Sequence, residues 1–393
     1  MKNLPLLASA LTLAALTACS NEPAQTLSGL DPAKFETTIN EKPVKLYTLK
    51  NAAGMEVCIT NVGGRIVSIM VPDKDGQMKD VVLGFDNAEQ YADYKNSPSD
   101  FGAAIGRYAN RIKEGKLVID GDTIQLPQNN VGHCLHGGPT GWQYQVYEVT
   151  ETTDSTLTLV MHSPDGDNNF PGNVEATVVY KLTADNAIGI DFSATTDKKT
   201  VVNMTNHAYF NLNGDPTQNI ENHLLYINAD QYTPSDSTFM TTGEIAPVKD
   251  TPMDFLTPHP VGDCVNNFDL VPIKNANGYD HNWCLNTYTP APEGSKEVGH
   301  GDDKKVAASL MSPATGICVE VFTNEPGIQI YSGNFLDGTV KGKHGIVYNK
   351  HAAICLETQH YPDSPNKPQW PSTFLAPGEI YHSHCIYKFS VKK

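Results

Sequence analysis

Short runs of β-branched and aromatic residues, separated by Gly, Pro, Asn and Asp, recur along the chain in the pattern of strands and turns. Lys116-Leu117-Val118-Ile119 and Asp122-Thr123-Ile124-Gln125-Leu126 flank Asp120-Gly121, a pair suited to positive φ, which predicts a hairpin. Residues 306 to 311, the turn Ser312-Pro313-Ala314-Thr315-Gly316, residues 317 to 323 and residues 328 to 332 predict three more strands in series. No segment after residue 30 offers a long, capped apolar stripe at helical spacing. With 31 Gly and 26 Pro spread throughout, the pattern predicts an all-β, antiparallel sandwich, with a closed barrel as the alternative. No linker, repeat or charge block marks a second domain, so residues 30 to 393 read as one domain.

Two predicted strands carry polar residues where a core strand should be apolar. In Val201-Val202-Asn203-Met204-Thr205-Asn206-His207-Ala208-Tyr209-Phe210, the strand period of two puts Asn203, Thr205, His207 and Tyr209 on one face. Val202, Met204, Ala208 and Phe210 take the other face, suited to a core, so the polar face must meet water, a ligand or partner side chains. In Ala352-Ala353-Ile354-Cys355-Leu356-Glu357-Thr358, Glu357 points to the same side as Cys355. A carboxylate seated there is destabilised unless it is paired, hydrogen-bonded or raised in pKa, a setting that suits acid–base work.

Asn110, Arg111, His136, Asp280 and Gln329 add donors and acceptors suited to sugar hydroxyls, and Trp142, Tyr331 or Tyr361 could face the apolar side of a sugar ring. Charge narrows the partners. With 28 Lys+Arg against 44 Asp+Glu, a net charge of -16, the chain lacks the basic surface that nucleic acid requires. A neutral small molecule fits better.

Lys2 precedes an apolar run from residue 4 to 18 that is too short to span a bilayer, which takes roughly 20 apolar residues. Its end, Leu16-Thr17-Ala18-Cys19, resembles the lipobox of bacterial lipoproteins. That resemblance implies a signal peptide over 1–18, a lipid on Cys19 and attachment to the cell envelope. Ser20 is compatible with the outer membrane, facing the periplasm. Residues 19 to 29 then read as a tether. Seven further cysteines lack CxxC spacing and fall largely in apolar runs, which predicts buried free thiols and neither metal nor redox chemistry.

Taken in order, seven segments resemble the aldose 1-epimerase (galactose mutarotase) family. They are Asp80-Val81-Val82-Leu83-Gly84-Phe85, Ile105-Gly106-Arg107-Tyr108-Ala109-Asn110-Arg111-Ile112, Leu135-His136-Gly137-Gly138, Asn206-His207-Ala208-Tyr209-Phe210-Asn211-Leu212, Gly278-Tyr279-Asp280-His281-Asn282, Glu325-Pro326-Gly327-Ile328-Gln329-Ile330-Tyr331-Ser332-Gly333-Asn334 and Leu356-Glu357-Thr358-Gln359-His360-Tyr361-Pro362-Asp363. The resemblance implies a β-supersandwich and an enzyme that interconverts the anomers of a free aldose, such as galactose or glucose, without a cofactor. It further implies Glu357 as general base, His207 as general acid, and Asn110, Arg111, His136, Asp280 and Gln329 as sugar-binding residues.

On that reading Glu357 takes the O1 proton while protonated His207 supplies the ring oxygen. Asp280 either fixes a hydroxyl or keeps the histidine charged. Two rival readings remain: a carbohydrate-binding lipoprotein without catalysis, and an epimerase of a hexose 6-phosphate, which would need further basic side chains for the phosphate.

Overall fold

The computed structural model describes residues 25–96, 99–292 and 299–392. The expected signal peptide, the lipid-bearing Cys19 and the first part of the tether lie outside them. Among the described residues the only α-helices are two short ones, Ala88–Ala92 and Val271–Ala276. The rest of the regular structure is strand and 3-10 turn, as the period-two pattern predicts.

The largest sheet is antiparallel and nine-stranded, in the order Glu148–Thr152, Thr156–Ser163, Val174–Leu182, Ala187–Thr196, Tyr381–Val391, Ile317–Thr323, Ala308–Met311, Leu224–Ile227 and His259–Pro260. Its strands alternate. In Tyr381–Val391, Ser383, Cys385, Tyr387 and Phe389 are buried while His382, His384, Ile386 and Lys388 face outward. A second, six-stranded sheet runs Tyr209–Phe210, Ile354–Gln359, Gly327–Tyr331, Asp280–Cys284, Gln231–Thr233 and Ala246–Pro247. Ile328, Ile330, Ile354, Leu356 and Trp283 from this sheet join Val319, Val321, Tyr387 and Phe389 from the larger one in a common core. Each such aliphatic side chain removed from water contributes about 1.5–3 kcal/mol, and this burial holds the two layers together.

The predicted hairpin forms as Lys116–Ile119 and Asp122–Gln125, with Asp120 at φ 53° and Gly121 at φ 93°. The three strands in series also form, as Ala308–Met311, Ile317–Thr323 and Gly327–Tyr331, but the third leaves for the six-stranded sheet. Buried Glu325 stands at that corner, its Oε2 2.6 Å from His360 Nδ1.

Residues 200–210 are not one strand but three pieces with three partners: Thr200–Val201 on Phe374–Leu375, Thr205–His207 on Ala103–Ile105, and Tyr209–Phe210 on Ile354–Cys355. The break has a local cause. Asn206 Oδ1 accepts the N–H of Ala208 at 3.1 Å, and that i to i+2 bond competes with the sheet ladder. Another correction concerns the tether, which was expected to run flexibly to Gly29. From Thr26 the chain is pinned: Leu27 N–H donates to Glu56 Oε1 at 2.7 Å, Ser28 bonds Ser68 at 3.1 Å, and Thr26 and Ser28 are buried. All seven cysteines among the described residues are free thiols, and six are buried.

Candidate active site

The floor of the site follows from strand register. Gln329 lies opposite Glu357, Tyr331 opposite both Cys355 and Asp280, and Tyr209 opposite Cys355. Residues opposite one another in an antiparallel pair share a face. The sheet therefore shows Asp280, Gln329, Tyr331, Cys355, Glu357 and Tyr209 on one side and the apolar core residues on the other. The Glu357 strand is buried throughout.

His207 comes from a separate short strand and stacks on Tyr209, with ring centroids 5.0 Å apart at 17°. Its carbonyl accepts the N–H of Gly102 at 2.9 Å. Gly102 has φ +69°, and a Cβ there would run into the Ile66 carbonyl, so glycine is what lets this loop reach His207. Asp100 sits just before it. The buried guanidinium of Arg65 grips the carbonyls on both sides of Asp100, Nη2 to Ser99 O at 2.9 Å and Nη1 to Phe101 O at 3.0 Å. The clamp brings carboxylate, His136 and His207 together, with one ligating atom of each within 4.8 Å of the others.

A cavity of about 350 Å³ lies between floor and loop, large enough for a hexose. Glu357 Oε2 is 3.4 Å from His207 Nε2. Burial pushes the Glu357 carboxyl well above its ordinary range, the Asp280 and Asp100 charges push it further, and Arg111 pulls it back. Burial takes His207 down to about 3; Asp100 opposes that, while His136 and Arg65 reinforce it. Burial thus drives the two groups in opposite directions, the carboxyl up and the imidazole down. His207 was expected to be protonated from the ordinary imidazole pKa; desolvation overrides that expectation.

His136 is likewise lowered to about 3, by burial and then by Arg111. Its Nδ1 accepts the Asn110 N–H at 3.1 Å, so the neutral ring carries its hydrogen on Nε2 as a donor. Arg111 spans Asp280 Oδ2 (Nη1, 4.0 Å) and Asn130 Oδ1 (Nη2, 3.1 Å), with the Phe239 ring 5.1 Å away. Around the cavity, Asp100 Oδ1, His207 Nδ1, Arg111 Nε, Gln329 Oε1 and Glu357 Oε2 are buried without a hydrogen-bond partner. Such groups suit a ligand rich in hydroxyls.

Six of the seven predicted residues line this cavity: Asn110, Arg111, His136, His207, Asp280 and Glu357. Gln329 stands behind the wall, its Nε2 donating to Asp280 Oδ1 at 2.7 Å. Of the three aromatic candidates only Tyr331 lines the cavity; Trp142 packs beneath Gly106 and Tyr361 against Trp370. Phe239 and Phe335 supply apolar surface instead. The Asp280 charge bears on Glu357 and Arg111, whereas it is Asp100 that opposes the lowering of His207. Sequence reasoning missed Asp100, because one Asp ahead of a Phe-Gly turn looks like any loop Asp.

This geometry has counterparts. The family model described as aldose 1-epimerase matches residues 45–388. A galactose mutarotase of Mus musculus is 41% identical over 337 residues, covering 86% of this chain and 92% of the mouse protein. An aldose 1-epimerase of Escherichia coli K12 is 38% identical over 351 residues, covering 88% and 96%. Among solved structures, an aldose epimerase homologue from C. elegans superposes with a TM-score of 0.79 at 28% identity, covering 89% of this chain and all of the other. A galactose 1-epimerase from Lactobacillus acidophilus gives 0.75 at 29%, covering 91% and 97%. The chain therefore belongs to the aldose 1-epimerase family, isomerases that interconvert the two anomers of an aldose.

Proposed function

We propose that Glu357 and His207 carry out this interconversion on free hexoses such as galactose and glucose. The observation that carries the reading is a buried carboxyl and imidazole 3.4 Å apart, both lining a sugar-sized cavity. With substrate bound, Glu357 as carboxylate removes the O1 proton while His207 as imidazolium protonates O5, and the C1–O5 bond breaks to give the open aldehyde. Rotation about C1–C2 and closure with reversed roles deliver the other anomer.

After ring opening the pair is carboxylic acid and neutral imidazole, the direction in which burial shifts each group. Desolvation thus lowers the free energy of the opened state. The charged pair needed to begin the cycle gains its support from Asp100 beside the imidazolium and Arg111 beside the carboxylate. Asn110, Arg111, His136 and Asp280 hold hydroxyls, while Gln329 braces Asp280.

A phosphorylated hexose fits less well. Arg111 is the one Arg or Lys in the described cavity wall, and Asn130 and Asp280 already engage it. The test is polarimetry on freshly dissolved α-D-galactose, α-D-glucose and α-D-glucose 6-phosphate, with wild type and Glu357→Gln. Acceleration on the free sugars by wild type alone is expected. An undiminished rate in Glu357→Gln would overturn the assignment of the base, and a preference for the phosphate would overturn the substrate.

The lipobox-like Leu16-Thr17-Ala18-Cys19 supports a further part of the reading, attachment to the cell envelope through a lipid on Cys19. Full-length protein should fractionate with membranes and Cys19→Ala should not; equal partitioning of the two would remove the anchor.

A further inference from the structure

A second group of histidines and carboxylates lies far from the chemistry described above, on the outward face of the nine-stranded sheet. His382 and His384 are two residues apart on the Tyr381–Val391 strand, and both point outward. Asp191, on the neighbouring strand, lies directly opposite His384 and diagonal to His382. Asp303 reaches over from the loop that follows His300–Gly301, and these side chains share one surface concavity.

The distances are those of a site one step short of closure. His384 Nε2 is 3.1 Å from Asp303 Oδ2, and His382 Nε2 is 4.0 Å from Asp191 Oδ1. One ligating atom each of Asp191, His382 and His384 lies within 4.8 Å of the others. Zinc binds imidazole nitrogen and carboxylate oxygen at about 2.0–2.2 Å, which in a tetrahedron separates ligand atoms by about 3.3 Å. The His384–Asp303 contact is of that length, but Asp303 stands outside the group of three. The His382–Asp191 edge must shorten by about 0.7 Å, and both side chains are more than half exposed, so rotamer adjustment alone supplies the movement.

The geometry points to a surface site for a divalent transition-metal ion, Zn²⁺ by ligand type, held by His382, His384 and Asp191. Two imidazoles select such ions over Ca²⁺ and Mg²⁺, which prefer oxygen ligands alone. Two nitrogens and one carboxylate oxygen make three ligands and leave the fourth tetrahedral position to water. The 187–196 strand and the C-terminal strand would be joined by the ion. Lys388, further along the same face, does not oppose the ion freely, because Asp185 engages it at 2.7 Å. Another outward histidine, His162, stands between Glu148 and Glu175 at 3.9 and 3.4 Å, but offers only one imidazole. It serves as the internal control.

The test is calorimetric titration of tag-free, EDTA-stripped full-length protein with ZnCl₂, repeated with Co²⁺ to read the visible absorption of a tetrahedral site. One ion per chain is expected, with affinity reduced at least about tenfold in His382→Ala and in Asp191→Asn and unchanged in His162→Ala. The thermal midpoint should rise by about 3 °C at a free ion concentration 100 times Kd, and that rise should vanish in the same two variants. Mutarotation should be unaffected by either substitution, which also reports that both variants are folded. The proposal is overturned if no saturable binding is found, or if His382→Ala and Asp191→Asn bind as tightly as wild type. It is equally overturned if the ion is displaced by galactose and inhibits mutarotation, because the ion would then sit at Asp100, His136 and His207.

Discussion

Two of the molecule's histidine–carboxylate pairs, alike in chemistry, stand in opposite surroundings. In the cavity, His207 and Glu357 are almost fully buried at 3.4 Å. On the outer sheet face, His382 and Asp191 are more than half exposed at 4.0 Å. The buried pair has its proton affinities driven in opposite directions by desolvation, the setting of acid–base groups. The exposed pair keeps its lone pairs accessible to water, and therefore to an ion. Residue type offers the chemistry, and burial selects between proton transfer and coordination.

The largest effect expected from breaking this contrast is catalytic. His207→Asn should lower kcat by about 100- to 10,000-fold, the usual contribution of a positioned acid, and leave circular dichroism unchanged. His382→Ala should leave kcat where it is.

Next comes acid stability. His136, His207 and His223 are held down to about 3 and His281 to about 4, in each case chiefly by burial. A depressed folded-state pKa gives stability that is present above the unfolded value near 6.5 and is lost as pH falls toward the folded value. Each of these histidines should therefore remove about 1.4 kcal/mol per pH unit between roughly pH 6 and 4. Chemical denaturation across that window should show a slope shallower by one such contribution in His223→Gln, whose ring accepts the Leu212 N–H outside the active site. An unchanged slope would show that His223 takes up its proton without unfolding.

The smallest effect is the most discriminating. Asp100→Asn removes a charge that raises the proton affinity of both His207 and Glu357. Both limbs of the pH–rate profile should move to lower pH by about one unit, with kcat down about tenfold and KM little changed. A fall in rate without displacement of the profile would reduce Asp100 to a part of the Arg65 clamp.

Much of this was legible in the chain itself. Glu357 stood out as a carboxylate inside an apolar strand, and the period of two placed it beside Cys355, where the sheet has it. The Asp120-Gly121 turn and the flanking strands were readable because positive φ and alternation are local properties. Asp100 was not readable, because its position depends on Arg65, thirty-five residues earlier, gripping the carbonyls on either side of it. The split of residues 200–210 was hidden for a related reason: a continuous alternation does not say that three different strands will pair with its parts.

Sequence alone therefore determined the β architecture and the apolar face of each strand, since these follow from local periodicity, and it marked Glu357 and His207 as polar residues set against that pattern; their roles as base and acid came from the family resemblance. Tertiary structure decided which carboxylate faces which histidine, which aromatics border the cavity and how far burial shifts each group. Those properties depend on distance and desolvation, and both exist only once segments far apart in the chain have packed together.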